Sequence, residues 1–113
     1  MNIGRVYPKR IGPVAVATSS ATAVFTADKR YGIERFVVTN NQGADATITL
    51  HVAASGVAAA TANRFVSTMS VPASDVVTIE IPIILDNGDV IYAVGSAAMN
   101  LMFNVNDVDI GVQ

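Results

Sequence analysis

The stretch 33–52, reading I-E-R-F-V-V-T-N-N-Q-G-A-D-A-T-I-T-L-H-V, constrains the fold of this chain most. In its second half Ile48, Leu50 and Val52 alternate with Thr47, Thr49 and His51. A period of two marks a half-buried β-strand. Between the two runs lies Asn40-Asn41-Gln42-Gly43, built from residues that accept left-handed backbone and bond their own main chain. The pattern predicts a hairpin of strands 33–40 and 45–53 at the centre of a β-sandwich. His51 falls on the threonine face, so an exposed imidazole is expected.

The alternation recurs downstream. Val77, Ile79 and Ile81 alternate with Val76, Thr78 and Glu80. Met99, Leu101, Phe103 and Val105 alternate with Asn100, Met102 and Asn104, and Val108, Ile110 and Val112 with Asp107, Asp109 and Gly111. Shorter strand-like runs occupy 14–18, 22–26, 64–67 and 90–94. Asp86-Asn87-Gly88-Asp89 reads as a turn with Asn-Gly at its centre. Pro82 ends a strand or places it at an edge, and 83–85 reads as a short buried linker. Residues 54–63 are alanine-rich and the least strand-like, which predicts a loop with a turn of helix at Ala58-Ala59-Ala60. The expected fold is all-β: an antiparallel β-sandwich or jelly roll of about eight short strands, with an extended N-terminal arm.

That arm is residues 1–13, M-N-I-G-R-V-Y-P-K-R-I-G-P, and residues 14–113 form the single domain. Proline and glycine at this density disfavour both helix and central strand. Its three positive charges and several apolar side chains leave two readings open, a frayed terminus without a role or a contact arm; on the second, Arg5, Tyr7, Lys9, Arg10 and Ile11 are the candidate partner contacts. Charge is uneven along the chain. Residues 1–35 hold six bases and two acids, a balance of +4, and residues 36–113 hold one base and seven acids, a balance of −6. Such asymmetry steers the basic part of one subunit toward the acidic part of a neighbour.

Only 14% of residues are charged while 51% are hydrophobic, against about 25% charged in ordinary domains. Part of the outside is therefore expected to be covered by other chains. A net charge of −2 argues against a nucleic-acid partner. There is no cysteine, hence no disulfide framework and no thiolate metal site. No apolar run reaches the roughly 20 residues that span a bilayer, and residues 1–5 lead into no secretion signal. Synthesis in the cytosol and no membrane partner are the expectation.

Catalytic and metal constellations are weak. Asp86, Asp89, Asp107 and Asp109 lack the spacing of a calcium loop and read as a turn and a solvated strand face. His51 is the only histidine and has no second ligand. No G-x-S-x-G, G-x-G-x-x-G or phosphate-loop spacing occurs. The reading is a protein without catalytic residues, metal or cofactor. Most aromatic residues are expected in the core. Lys29-Arg30 with Arg35 reads as a solvated turn rather than a binding patch.

The succession V-V-T-N-N-Q-G-A-D-A-T-I-T-L-H-V, a Ser/Gly/Ala loop, V-T-I-E-I-P-I-I-L-D-N-G-D-V-I-Y-A-V and a last alternating strand resembles the small β-sandwich structural proteins of tailed-phage virions, among them capsid decoration or cement proteins. The resemblance covers roughly 14–112. It implies a jelly-roll module, often trimeric, that binds between major-capsid subunits and stabilises the head. It implies the major capsid protein and sister copies as partners, and the virion surface as location. A tail, neck or fibre component is the nearest alternative, and a carbohydrate-binding jelly roll the next.

Overall fold

The computed structural model describes residues 8–108, and the statements below concern these. Ten strands form two antiparallel sheets. The strands are β1 (Pro8–Val16), β2 (Thr22–Thr26), β3 (Tyr31–Ile33), β4 (Phe36–Asn40) and β5 (Ala46–Ala53), followed by β6 (Arg64–Val71), β7 (Asp75–Ile79), β8 (Ile83–Leu85), β9 (Val90–Gly95) and β10 (Met99–Asp107). Sheet B runs β2-β9-β5-β6. In sheet A the long β10 pairs β1 on one side and both β4 and β3 on the other. Outside these lie β7, against β4, and β8, against β3.

β3 and β4 are thus one strand interrupted at Glu34-Arg35, and β7 and β8 are one strand interrupted at 80–82. The two breaks lie side by side. Pro82 has no N–H to give the ladder there. Counted this way, eight strands pair in the order 1-8-3-6 and 2-7-4-5, a jelly roll.

The inward residues of both sheets meet in one core. β10 contributes Leu101, Phe103 and Val105, β4 contributes Phe36 and Val38, β5 contributes Ile48 and Leu50, and all are buried. An aromatic series crosses between the sheets, Tyr31–Phe25–Phe103–Phe36–Phe65, with centroid separations of 5.6, 5.9, 5.1 and 5.4 Å. Tilted and edge-on pairs at this spacing match ring quadrupoles as well as burying area.

The expected hairpin of 33–40 with 45–53 is not formed. β4 pairs β10 and β7, whereas β5 pairs β9 and β6. Their connection is a corner from one sheet to the other. Asn40, fully buried, organises it. Its Nδ2 donates to the carbonyls of Ala44 and Val71 at 3.0 Å and of Pro72 at 3.2 Å. Its Oδ1 accepts the Gln42 N–H at 2.9 Å. Ser74 N–H to the Gln42 carbonyl, and Ala73 N–H to Asp45 Oδ1, tie the same corner to the β6–β7 turn.

His51 is also placed differently. It is buried, because residues 54–63 fold over the outer face of sheet B. Its Nδ1 lies 3.0 Å from the Ala60 carbonyl and 2.9 Å from Asn63 Oδ1. Both partners accept, so Nδ1 carries the proton. Asn63 is held in turn by the Ala60 N–H and by donation to the Ala58 carbonyl. The single helical turn of this loop is a 3₁₀ turn at Thr61–Asn63, three residues later than Ala58-Ala59-Ala60.

The arm expected over 1–13 is in sheet A from Pro8 onward, pairing from Pro8↔Asn106 to Val16↔Met99. A bulge between Ile11 and Val14 absorbs Gly12-Pro13. Gly12 has φ +98°, and a Cβ there would stand 2.6 Å from the Leu101 carbonyl oxygen, so the site requires glycine. Residues 83–85 form the short strand β8 rather than a linker. The strand expected over 108–112 lies, beyond Val108, outside the described residues.

All four sheet edges are irregular. Besides the bulge in β1 and the break between β7 and β8, the β2–β9 register shifts between Ala23 and Phe25. In β6 the shift places Ser67 and Thr68 opposite Thr49. Thr68 has φ +45°, a conformation that β-branched residues rarely adopt. Its N–H donates to Thr49 Oγ1 at 3.0 Å instead of to a ladder carbonyl.

Candidate assembly surface

Register alone defines the outer face of sheet A. The even residues of β10 point outward and their inward neighbours are buried. Asn100 lies beside Thr39 and then Val76. Met102 lies beside Val37 and then Thr78. Asn106 lies beside Gly32 and then Ile84. On its other side β10 meets β1, with Ala15 beside Asn100 and Arg10 beside Asn104. The result is a four-strand face of amides, hydroxyls and apolar side chains. Its charges are Arg10, the Glu34-Arg35 pair at the strand break, and Glu80, the next outward residue after Thr78.

Val76 is 53% and Ile84 60% exposed, two of the three large apolar side chains left open to solvent among the described residues. Two shallow depressions lie on the same face. One of about 250 Å³ is bounded by Glu34, Arg35, Val37, Met102, Asn104 and Asn106. The other, of about 270 Å³, is bounded by Gly32, Pro82, Ile84, Asn106 and Val108. They share Glu34 and Asn106, so they form one groove along the break in β3 and β4. The side-chain amides of Asn100, Asn104 and Asn106 have no hydrogen-bond partner among the described residues, and Glu34 and Arg35 no ion pair.

The candidate contacts read from the sequence are distributed unevenly. Arg5 and Tyr7 lie outside the described residues. Arg10 is exposed on the outer face of sheet A. Ile11 sits opposite Phe103 and packs against the core, so it is not a surface contact. Lys9 sits opposite Val105 at the end of the sandwich. Sequence reasoning passed over Val37, Met102, Val76 and Ile84. Each belongs to a run apolar on both faces, V-V, L-M-F, V-V or I-I-L, and that doubling was the available signal.

Six charged residues, Asp28, Lys29, Arg30, Asp86, Asp89 and Asp107, gather at the end where β2 turns into β3 and β8 into β9. Lys29 Nζ pairs with Asp107 Oδ2 at 3.2 Å and Arg30 Nε with Asp86 Oδ1 at 3.1 Å. Lys29 and Arg30 are thus each committed to an acid, apart from Arg35. The Tyr31 hydroxyl donates to Asp28 Oδ1 at 2.6 Å. This bond holds the Asp28 carboxyl below the usual carboxylate range, helped by Lys9 and Lys29. It raises the Tyr31 phenol above its ordinary value, and burial adds to the rise. The bond to Asp107 raises the Lys29 ammonium likewise.

The lowered Asp28 contributes stability above the unfolded carboxylate value and loses it as pH falls through its folded value. The raised Tyr31 and Lys29 contribute stability below about pH 10 and lose it as pH rises through their folded values. Tyr31→Phe is therefore expected to lower the urea midpoint at neutral pH and to flatten its fall below about pH 4. Urea titrations at pH 7 and pH 3 read both effects. An unaltered pH profile would remove the Tyr31–Asp28 bond from the linkage.

The aspartates 86 and 89 shape their turn. Asp86 N–H donates to Asp89 Oδ2 at 2.8 Å, and Asp89 N–H to the Asp86 carbonyl at 3.0 Å. Among the described residues no three His, Cys, Asp or Glu side chains converge on a common point. No helix among them is long and apolar enough to cross a membrane.

No family model and no curated protein matches the chain by sequence. Solved structures do match by fold. One is from the T13 particle of IBDV, with TM-score 0.61 and 8% identity over 93% of this chain and 31% of that one. A second is from the Gx strain of infectious bursal disease virus, with TM-score 0.57 and 10% identity over 93% of this chain and 32% of that one. The fold is of viral-capsid type. At this identity the likeness concerns the fold, and the chain spans about a third of the length of the structures it matches.

Proposed function

We propose that this chain is a non-enzymatic structural protein of a virion, a decoration or cement protein of the head. Its partners are the major capsid protein and other copies of itself, and it acts at the capsid surface after synthesis in the host cytoplasm. The observation that carries the reading is the outer face of sheet A, four strands wide and built mostly of amides, hydroxyls and apolar side chains. A capsid-type jelly roll that leaves Val76 and Ile84 open on such a face suits burial against other subunits. The sequence resemblance to phage decoration proteins points the same way.

The mechanism is mass action. A protein that binds the assembled shell and not its dissociated subunits stabilises the shell by RT ln(1 + [L]/Kd), about 4 kcal/mol at a thousandfold excess over Kd. The test is the copy number in purified particles, by quantitative mass spectrometry against the major shell protein. A small whole-number ratio to that protein is expected, together with earlier heat release of the genome from particles stripped of this chain. A handful of copies per particle would move the chain to tail, neck or fibre. Absence from particles, with binding on a glycan array, would replace the reading by a carbohydrate-binding module.

A further inference from the structure

We propose that the outer face of sheet A is a contact between two copies of this chain. The copies pack sheet on sheet about a two-fold axis that runs parallel to β10 and β4 and between them. Two sheets meeting face to face keep their strands within about 30° of each other, which an axis along the strands permits. Isologous contacts of this kind require a self-complementary patch.

The register supplies that complementarity. An axis between β10 and β4 lays β10 of one copy over β4 and β3 of the other, and β1 over β7 and β8. Rows stay in step. Met102 then meets Val37 of the second copy, Asn100 meets Thr39, and Ala15 meets Val76. Arg10 falls opposite Glu80 of the second copy, twice by symmetry. Neither has an ion-pair partner within its own chain among the described residues. Asn104 meets the Glu34-Arg35 break, where its amide has both a donor and an acceptor to offer.

The edges argue for the same face. Each edge strand is bulged, shifted or broken, so pairing by strand addition is disfavoured. The face is modest in size. Four strands at about 4.8 Å and seven residues at about 3.4 Å give a footprint of about 460 Å² per copy. Stable interfaces bury roughly 800 Å² per partner, so this contact belongs to the weak, reversible class. Repetition around an assembled particle multiplies such contacts without new chemistry.

Sedimentation velocity on the full chain, from about 1 μM to about 1 mM, reads the self-association directly. A reversible monomer–dimer equilibrium is expected. Met102→Glu is expected to raise its dissociation constant by about tenfold or more. Arg10→Glu and Glu80→Arg are each expected to weaken the dimer, and the double variant R10E/E80R to restore it. Arg10 and Glu80 are exposed, so these exchanges carry the reading if Met102→Glu disturbs the fold, which circular dichroism detects. A monomer throughout would overturn the proposal. So would a trimer, a dimer indifferent to Met102→Glu, or a double variant no tighter than the single ones. None of these results bears on the copy number in particles, so the capsid reading stands or falls separately.

Discussion

Replacing Phe36 by alanine is expected to cost about 3 to 5 kcal/mol, the range for truncating a buried aromatic residue. Phe36 is fully buried, within the series that joins the sheets, with Phe103 at 5.1 Å and Phe65 at 5.4 Å. Its removal leaves a void facing β6 across the sandwich. It also deprives two rings of their neighbour. Small domains hold about 5 to 15 kcal/mol in total, so the variant sits near the unfolding threshold at 37 °C. Urea unfolding followed by circular dichroism checks the size. Phe36→Leu, which fills most of the space, is expected to recover more than half of the loss. Equal loss for alanine and leucine would show that the ring contacts, not the volume, carry the effect.

The second large effect belongs to Asn40. Asn40→Ala removes a donor shared by three carbonyls and the acceptor of the Gln42 N–H. The bond to the Val71 carbonyl is buried, and that oxygen is left without its partner. The expected cost is about 2 to 4 kcal/mol, because a buried polar group that loses its partner stays desolvated with no bond to offset it. Asn40→Asp separates the two halves of the side chain. It keeps the acceptor for Gln42 and turns the donor into a second acceptor, facing three carbonyls. Asp is therefore expected to be worse than Ala at neutral pH and to recover on acidification, as the carboxyl becomes a donor again. Thermal melts of both variants at pH 7 and pH 4 separate the cases. An Asp variant as stable as the parent at pH 7 would contradict the assigned orientation of the amide.

Alternation made the strands legible. Leu101, Phe103 and Val105 are buried and Met102 and Asn104 are not, as the spacing predicts. The Asp-Asn-Gly-Asp turn is equally local, closed by its own aspartates. Partnership was not legible. The period of 33–40 and 45–53 tells which side of each strand faces the core, but a hairpin and a sheet-to-sheet corner carry the same pattern. Asn40 decided between them through Val71 and Pro72, which lie more than 30 residues away in sequence. His51 shows the same limit. Its strand gives it an outward direction, and only the folding of 54–63 over that side buries it. In Lys9-Arg10-Ile11-Gly12-Pro13 the glycine and proline fit into a strand through a bulge, which lets a segment poor in strand formers take a place in the sheet. The assembly face was hidden for a related reason. Arg10, Glu80, Met102 and Val37 come from four strands that only the topology brings side by side.

The irregular strands at the rims of both sheets bear on how this protein behaves when it is abundant. Fibre growth requires a long run of free backbone donors and acceptors at a repeat of about 4.8 Å. Here the left-handed Thr68, the Gly12-Pro13 bulge, the shift at Val24 and Pro82 each cut that run short. Strand-by-strand growth is therefore disfavoured in concentrated solution, and association is left to side-chain surfaces.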